Sequence, residues 1–372
     1  IQGGTIAAGA LTFTTSNGYL DGVSLTGDLS LGTASSGVRF LNGTAFTGAN
    51  ATFANNAYLY WQQAGTLAGK AIIQGTNAYI YVSGTNNTLT LDATTTVSGD
   101  VSIYSDSSVG TAITNQGTIT HTGGTGNLYA RSFTNAGTIS ATGGSINIGT
   151  TSSGYTAVNS IAGTIHVNGG SVSLYAPTAG QFMNLGTLNV QSGTLITGAY
   201  LTNGSTGLIK GAGTISGDLT LAGGTLAPGN SIGTLTLINS DFLATSAAII
   251  ELEMNSVTSD RITFQNPTSA VGLGAGLIAL NLNLLAAPAE GTIYTIMNIS
   301  AGGSGFTGYF AGLPNSGDVI TANYGGTDYA LNVAYLTNSI VLSYAVPEPS
   351  TYALMGAGLG LLLLRRYLRR AR

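Results

Sequence analysis

The tripeptide Gly-Thr-Ile or Gly-Thr-Leu returns at Gly117, Gly137, Gly163 and Gly186, at spacings of 20, 26 and 23 residues. A unit repeated at such a period marks a solenoid, in which each coil buries its apolar face only against its neighbours. Apolar and polar residues alternate around these markers. Leu89 and Leu91, Val101 and Ile103, Ile146 and Ile148, Val172 and Leu174, Leu219 and Leu221, and Leu235 and Leu237 are such pairs, and Ile278 to Leu284 continues at every second residue. Each segment reads as a short strand with one buried face. Gly-Gly, Asn-Gly and Ser-Gly pairs between them supply positive-φ turn positions, and helical patterning is nearly absent before the C-terminal tail. The expected fold is all-β, a right-handed parallel β-helix with coils of about 22 residues; a sandwich or barrel would not show this repeat.

Two columns follow from the period. Asn115, Asn135 and Asn184 each stand two residues before a motif glycine. Tyr104, Tyr129, Tyr155, Tyr175 and Tyr200 recur at 25, 26, 20 and 25 residues, which predicts a ladder of rings in coils about 4.8 Å apart.

Charged residues make up only 6% of the chain, a value seen in low-complexity segments, yet 43% hydrophobic residues in regular alternation give these strands surface to bury. Before Val346 there are 5 basic residues against 13 acidic ones, a net charge of about −8 that disfavours nucleic acid as a partner. The absence of cysteine removes disulfides, thiol nucleophiles and thiolate metal sites together. Packing and backbone hydrogen bonds must hold the body.

The last residues have a different character. Val346, Pro347, Glu348 and Pro349 precede an apolar run from Tyr352 to Leu364 that includes Leu354, Leu359, Leu361, Leu362 and Leu363; Arg365, Arg366, Arg369, Arg370 and Arg372 follow. Thirteen helical residues cover roughly 20 Å against a hydrocarbon core of roughly 30 Å, so a span needs Tyr367, Leu368 and snorkelling arginines to complete it. The arginines place that end in the cytoplasm and everything before Pro347 across the membrane. The prolines leave an extended segment for a protease to bind. This tail closely resembles the PEP-CTERM sorting signal that exosortases read in Gram-negative bacteria with exopolysaccharide-rich surfaces. The resemblance implies an exosortase-type protease and the membrane as partners, export to the cell envelope, and a signal peptide upstream of Ile1. A permanent single-span anchor without processing is the other reading of the same run.

A second resemblance covers Gly211 to Leu237. Gly213, Thr214, Ile215, Gly217 and Leu219, followed by Gly223, Gly224, Thr225, Leu226, Pro228, Gly229, Asn230, Ser231, Gly233, Thr234 and Leu235, look like the passenger-associated transport repeat of autotransporters. Ser259, Asp260 and Arg261 opening a strand, and Phe310 to Pro314 before the last strands, extend the likeness. No autotransporter-type barrel domain follows, so the resemblance implies a β-helix and an exposed location but not self-translocation. The expected division is 1–237 β-helix, 238–345 β-rich continuation or cap, and 346–372 sorting signal with a short transmembrane helix.

Reactive constellations are sparse. His121 and His166 lie four and three residues past their motif glycines, so they should face opposite sides of the wall and share no metal; each is expected on a solvated or partly packed face. Asp92, Asp100 and Asp106 read as turn residues, with a weak calcium site or a polysaccharide-degrading cluster as the alternatives. Glu251 and Glu253 should share the solvent face of a strand whose Ile250, Leu252 and Met254 point inward, a glycosidase pair being the alternative. No catalytic, cofactor or metal site is expected. The favoured function is a non-enzymatic surface or matrix protein. The alternative is polysaccharide binding through Tyr58, Tyr60, Trp61, Tyr79 and Tyr81, with core packing as the competing role for those rings; a β-helix hydrolase or lyase is the least favoured class.

Overall fold

The computed structural model describes residues 1–176, 182–197 and 201–344. The sorting motif, the apolar run and the arginine cluster lie outside the described residues, and so does Tyr200. Among the described residues the only helical element is the 3-10 turn Ala8–Ala10, and no helix is long and apolar enough to cross a membrane.

The body is an all-β parallel solenoid. A coil contributes three short strands, as in Tyr58–Gln62, Gly65–Leu67 and Ala71–Gln74, followed in the next coil by Tyr79–Val82, Thr88–Leu91 and Thr96–Gly99. Each of the first three pairs in parallel with its counterpart one coil later. The strand sequences select this arrangement because alternation leaves one apolar row per strand, and only stacking in register buries every row at once. Among the described residues one face alone holds 11 strands. The 11-residue strands Thr164–Leu174 and Thr187–Thr197 turn a corner through an irregularity at Gly169 (φ 94°) and Gly193 (φ 92°) without ending, which joins the other two faces into a single sheet.

The isoleucine or leucine of the repeated tripeptide forms the inner column of one wall. Ile119, Ile139, Ile165 and Leu188 stack in register and are all buried, and the column extends back to Val97 and Ile72 and on to Ile209, Leu226 and Ile250. Each such side chain contributes roughly 1.5–3 kcal/mol by leaving water. The motif glycine answers to a different constraint. A Cβ on Gly137 would lie 2.2 Å from the Gly117 carbonyl oxygen, and one on Gly186 would lie 2.1 Å from that of Gly163, so coil backbones touch at this corner. Asparagine takes positive φ elsewhere, as at Asn56 (57°) and Asn77 (55°).

A ladder of buried amides runs beside that corner. Asn115, Asn135, Asn159, Asn184 and Asn203 are fully buried, and each Nδ2 donates to the Oδ1 of the next at 2.8, 2.8, 2.7 and 2.8 Å. Asn159 and Asn203 escape the sequence pattern because each stands four residues, rather than two, before its glycine, at Gly163 and Gly207.

Parallel stacking passes through residues 237 and 238 without a break, since Thr234–Ile238 pairs with Arg261–Gln265 and Phe242–Ser246 with Leu219–Ala222. The pattern changes at Ile293–Ala301. That strand is parallel to Arg261–Gln265 on one side and antiparallel to Ser339–Tyr344 on the other. Val319–Tyr324, Thr327–Tyr335 and Ser339–Tyr344 form an antiparallel meander that pairs the open edge of the last coil.

Candidate functional site on a tyrosine-lined face

The strands Gly37–Leu41, Tyr58–Gln62, Tyr79–Val82, Ser102–Ser105 and Thr125–Tyr129 stack in register. Their pleat sends Val38, Leu59, Ile80, Ile103 and Leu128 into the core and leaves Arg39, Tyr60, Tyr81, Tyr104 and Tyr129 in one outward column. Tyr58 and Tyr79 form a second, shorter column, their rings 5.3 Å apart and 10° from parallel. Along the main column the ring centroids are 5.3 Å apart from Tyr60 to Tyr81, and 5.2 Å from Tyr81 to Tyr104 and from Tyr104 to Tyr129. The Arg39 guanidinium closes one end, 4.2 Å above the Tyr60 ring and 5.2 Å from that of Tyr19.

The expected tyrosine ladder and the expected glycan-stacking tyrosines are thus one surface. The ladder runs toward the N-terminus of the chain from Tyr104, not only toward the C-terminus. After Tyr129 the in-register position belongs to Gly149, because Leu128 pairs with Ile148, and Tyr175 lies one coil beyond it. Tyr155 fills the gap from a loop instead, its ring 6.1 Å from Tyr129. Trp61 is corrected in the opposite sense. It has the inward parity of Leu59, is 2% exposed, and donates its Nε1–H to the Thr88 carbonyl at 2.9 Å, so it belongs to the core.

A cleft opens where the ladder meets one corner of the solenoid. The corner after Ser102–Ser105 is the loop 106–111, and the corner after Ser145–Ile148 is the loop 149–155, while the coil between them turns with Ala130 and Arg131 alone. Two raised loops therefore flank a low coil. The space between them is about 330 Å³ and is lined by Tyr81, Tyr104, Tyr129, Tyr155 and Asp106, with Ser105, Ser107, Thr150 and Ser152 adding hydroxyls. Asp106 is held by the Gly84 and Ser108 backbone N–H groups at 3.0 and 2.9 Å. Burial first, and neighbouring phenols second, push the Tyr104 hydroxyl up to about 12. Tyr81, Tyr129 and Tyr155 move in the same direction, also chiefly through burial, so all four phenols remain proton donors far above neutral pH.

The remaining candidates separate. His121 pairs with Ala141, which pairs with Val167, so His166 points the other way, as its spacing requires. His121 itself is 0% exposed, which corrects the expected solvated or partly packed face: its Nδ1 accepts the Val101 N–H at 3.1 Å, and burial lowers its pKa. Asp92 caps its own turn through Thr94 and Thr95, Asp100 is buried at another corner, and Asp106 faces the cleft. Among the described residues no group of three metal-ligating side chains exists. Glu251 and Glu253 project from one strand face opposite Asn281 and Asn283, while Ile250, Leu252 and Met254 are buried.

Asp260, named from the sequence only as part of a strand opening, is a buried carboxyl. Its Oδ1 accepts the Gly233 N–H and its Oδ2 the Glu253 N–H, both at 2.7 Å, tying the Gly229–Gly233 loop of one coil to the next. Burial pushes its carboxyl up to about 6 against these two lowering bonds.

Residues 345–370 match the PEP-CTERM protein-sorting motif. A PEP-CTERM motif implies export to the cell envelope of a Gram-negative bacterium and processing by an exosortase-type enzyme. No curated protein matches the chain.

Proposed function

We infer that this chain, a solenoid carried on a PEP-CTERM tail, is an exported, non-enzymatic structural or adhesin-like protein of the outer surface or extracellular matrix. In this reading the run Tyr352 to Leu364 anchors it in the inner membrane until an exosortase-type protease cuts near Val346 to Pro349. The observation that carries the reading is the sorting motif placed directly after a solenoid whose last coil is closed by its own antiparallel meander. The resemblance of Gly211 to Leu237 to the autotransporter repeat, and a right-handed coil as expected for parallel crossovers, fit the same exposed rod. The test is C-terminal peptide mapping of protein recovered from the cell surface. A terminus near Pro349 supports processing; recovery ending at Arg372 means a permanent anchor and removes the exosortase step.

A second reading, polysaccharide binding, is favoured by one specific observation. Tyr60 and Tyr81 belong to an outward aromatic column that leads into a hydroxyl-rich cleft, and Tyr58 and Tyr79 form a second column beside it. Retention of the protein on immobilised polysaccharide, lost in a Tyr60→Ala and Tyr81→Ala double variant, tests it.

A further inference from the structure

Corner loops that differ in length between repeats commonly make the binding face of a solenoid, because the repeats supply a rigid wall and the insertions supply relief. Here the relief is a low coil, turned by Ala130 and Arg131, between the loops 106–111 and 149–155. Both loops are braced. Val109 accepts the Asn86 N–H at 2.9 Å, and a Cβ on Gly110 would lie 2.0 Å from Asn86 Oδ1, so the first loop rests on the corner of the preceding coil. The second loop lies on Arg131: a Cβ on Gly154 would meet the guanidinium at 2.7 Å. The guanidinium does not line the cleft, although its charge acts on the Tyr155 hydroxyl against that of Asp106.

The lining has one sign of charge. Tyr81, Tyr104 and Tyr129, all half-buried, and Tyr155, 9% exposed, line it with aromatic groups whose π-systems attract cations, and Asp106 is the one acidic residue there, with no basic residue among the lining. The volume of about 330 Å³ suits one small unit of a larger chain, at the lower end of the roughly 300–1,000 Å³ typical of small-ligand sites. The hydroxyls of Ser105, Ser107, Thr150 and Ser152 suit a ligand rich in its own hydroxyls. The column of rings leading to the cleft lets a longer chain continue along the wall.

We propose that this cleft binds a protonated amino-sugar unit of a polysaccharide, the ammonium group set against Asp106 and the ring of Tyr155 and the sugar hydroxyls facing the serine and threonine side chains. This rests on the polysaccharide-binding reading and adds the sign of the ligand: acidic sugars are excluded by Asp106 and by the net negative body.

The test is calorimetric titration of the intact protein with oligosaccharides of β-1,4-linked glucosamine, of its N-acetylated form and of galacturonic acid. The expected result is binding of the glucosamine oligomer about tenfold tighter than the N-acetylated one, and no binding of the acidic one. Asp106→Asn should remove most of that tenfold preference. Because Asp106 also holds two backbone N–H groups, Tyr155→Leu, which keeps apolar packing against Tyr129 and removes the π-face, serves as the second variant and should weaken glucosamine binding several-fold. Equal affinity for the amine and its acetylated form, or an amine preference intact in both variants, overturns the ammonium assignment while leaving polysaccharide binding in place. Tighter binding of the acidic oligomer overturns it likewise. Failure of every saccharide to bind overturns both.

Discussion

The amide ladder makes a directional prediction. Replacing Asn159 with Ala removes the donor to Asn184 Oδ1, for which Asn159 Nδ2 is the hydrogen-bond donor at 2.7 Å. That oxygen is then buried without a partner, at about 1–3 kcal/mol. On the other side, Asn135 Nδ2 loses its acceptor at 2.8 Å but keeps the Gly137 and Thr164 carbonyls, both at 3.2 Å, for a further loss of about 0.5–1.5 kcal/mol. The expected total is about 1.5–4.5 kcal/mol. Asn203→Ala deletes the same atoms at the far end of the ladder, where no side-chain oxygen waits for its Nδ2. Asn184 Nδ2 still has the Gly186 carbonyl at 3.1 Å, and the Gly207 carbonyl still accepts the Thr225 N–H at 2.8 Å. The expected loss there is about 1–2 kcal/mol. Since the truncation is identical, its cavity contribution largely cancels and the difference isolates the orphaned oxygen. Urea unfolding of the purified proteins, followed by β-sheet circular dichroism, reads both; m must stay constant for the midpoints to be compared. Equal losses in the two variants, or a loss below about 1 kcal/mol for Asn159→Ala, would refute the directional account.

Three further outcomes are expected. Gly137→Ala should destabilise by about 1–3 kcal/mol or more, because its Cβ would overlap the Gly117 carbonyl, whereas Gly123→Ala, with nothing within 4 Å, should be neutral or slightly stabilising; thermal unfolding of the pair checks this. Tyr104→Ala should cost about 1–3 kcal/mol through its contacts with Tyr79, Tyr81 and Tyr129, and Tyr104→Phe under about 1 kcal/mol; a Phe variant as unstable as the Ala variant would show that the hydroxyl, not the ring, matters. Two buried groups bend the pH profile in opposite directions. The lowered pKa of His121 means stability fully present above about 6.5 and lost as pH falls below it, while the raised pKa of Asp260 means stability fully present below about 3.8 and lost as pH rises through about 6. Urea midpoints against pH, compared with His121→Gln and Asp260→Asn respectively, should show each slope vanish in its own variant.

What the chain order alone determined is whatever repeats with the strand period or sits in one unbroken segment. Alternation within strands sets the inward rows, the tripeptide marks the coil, and the C-terminal order of prolines, apolar run and arginines identifies the sorting motif. Three of the five ladder asparagines were legible in the same way. The rest depends on corner length, which varies freely because corners project into solvent, so that fixed spacing in sequence stops meaning the same place in space. Gly149 therefore interrupts the tyrosine column and a loop residue, Tyr155, completes it, while Asn159 and Asn203 join a ladder their spacing disguises. The near neighbours Tyr60 and Trp61 end on opposite sides of one wall because the pleat, not aromatic character, decides which ring reaches solvent. Only stacking of coils brings Asp106 and its own coil's Tyr104 beside Tyr81, Tyr129 and Tyr155 of three other coils, since residues about 25 apart in sequence become neighbours about 5 Å apart once parallel strands pair in register.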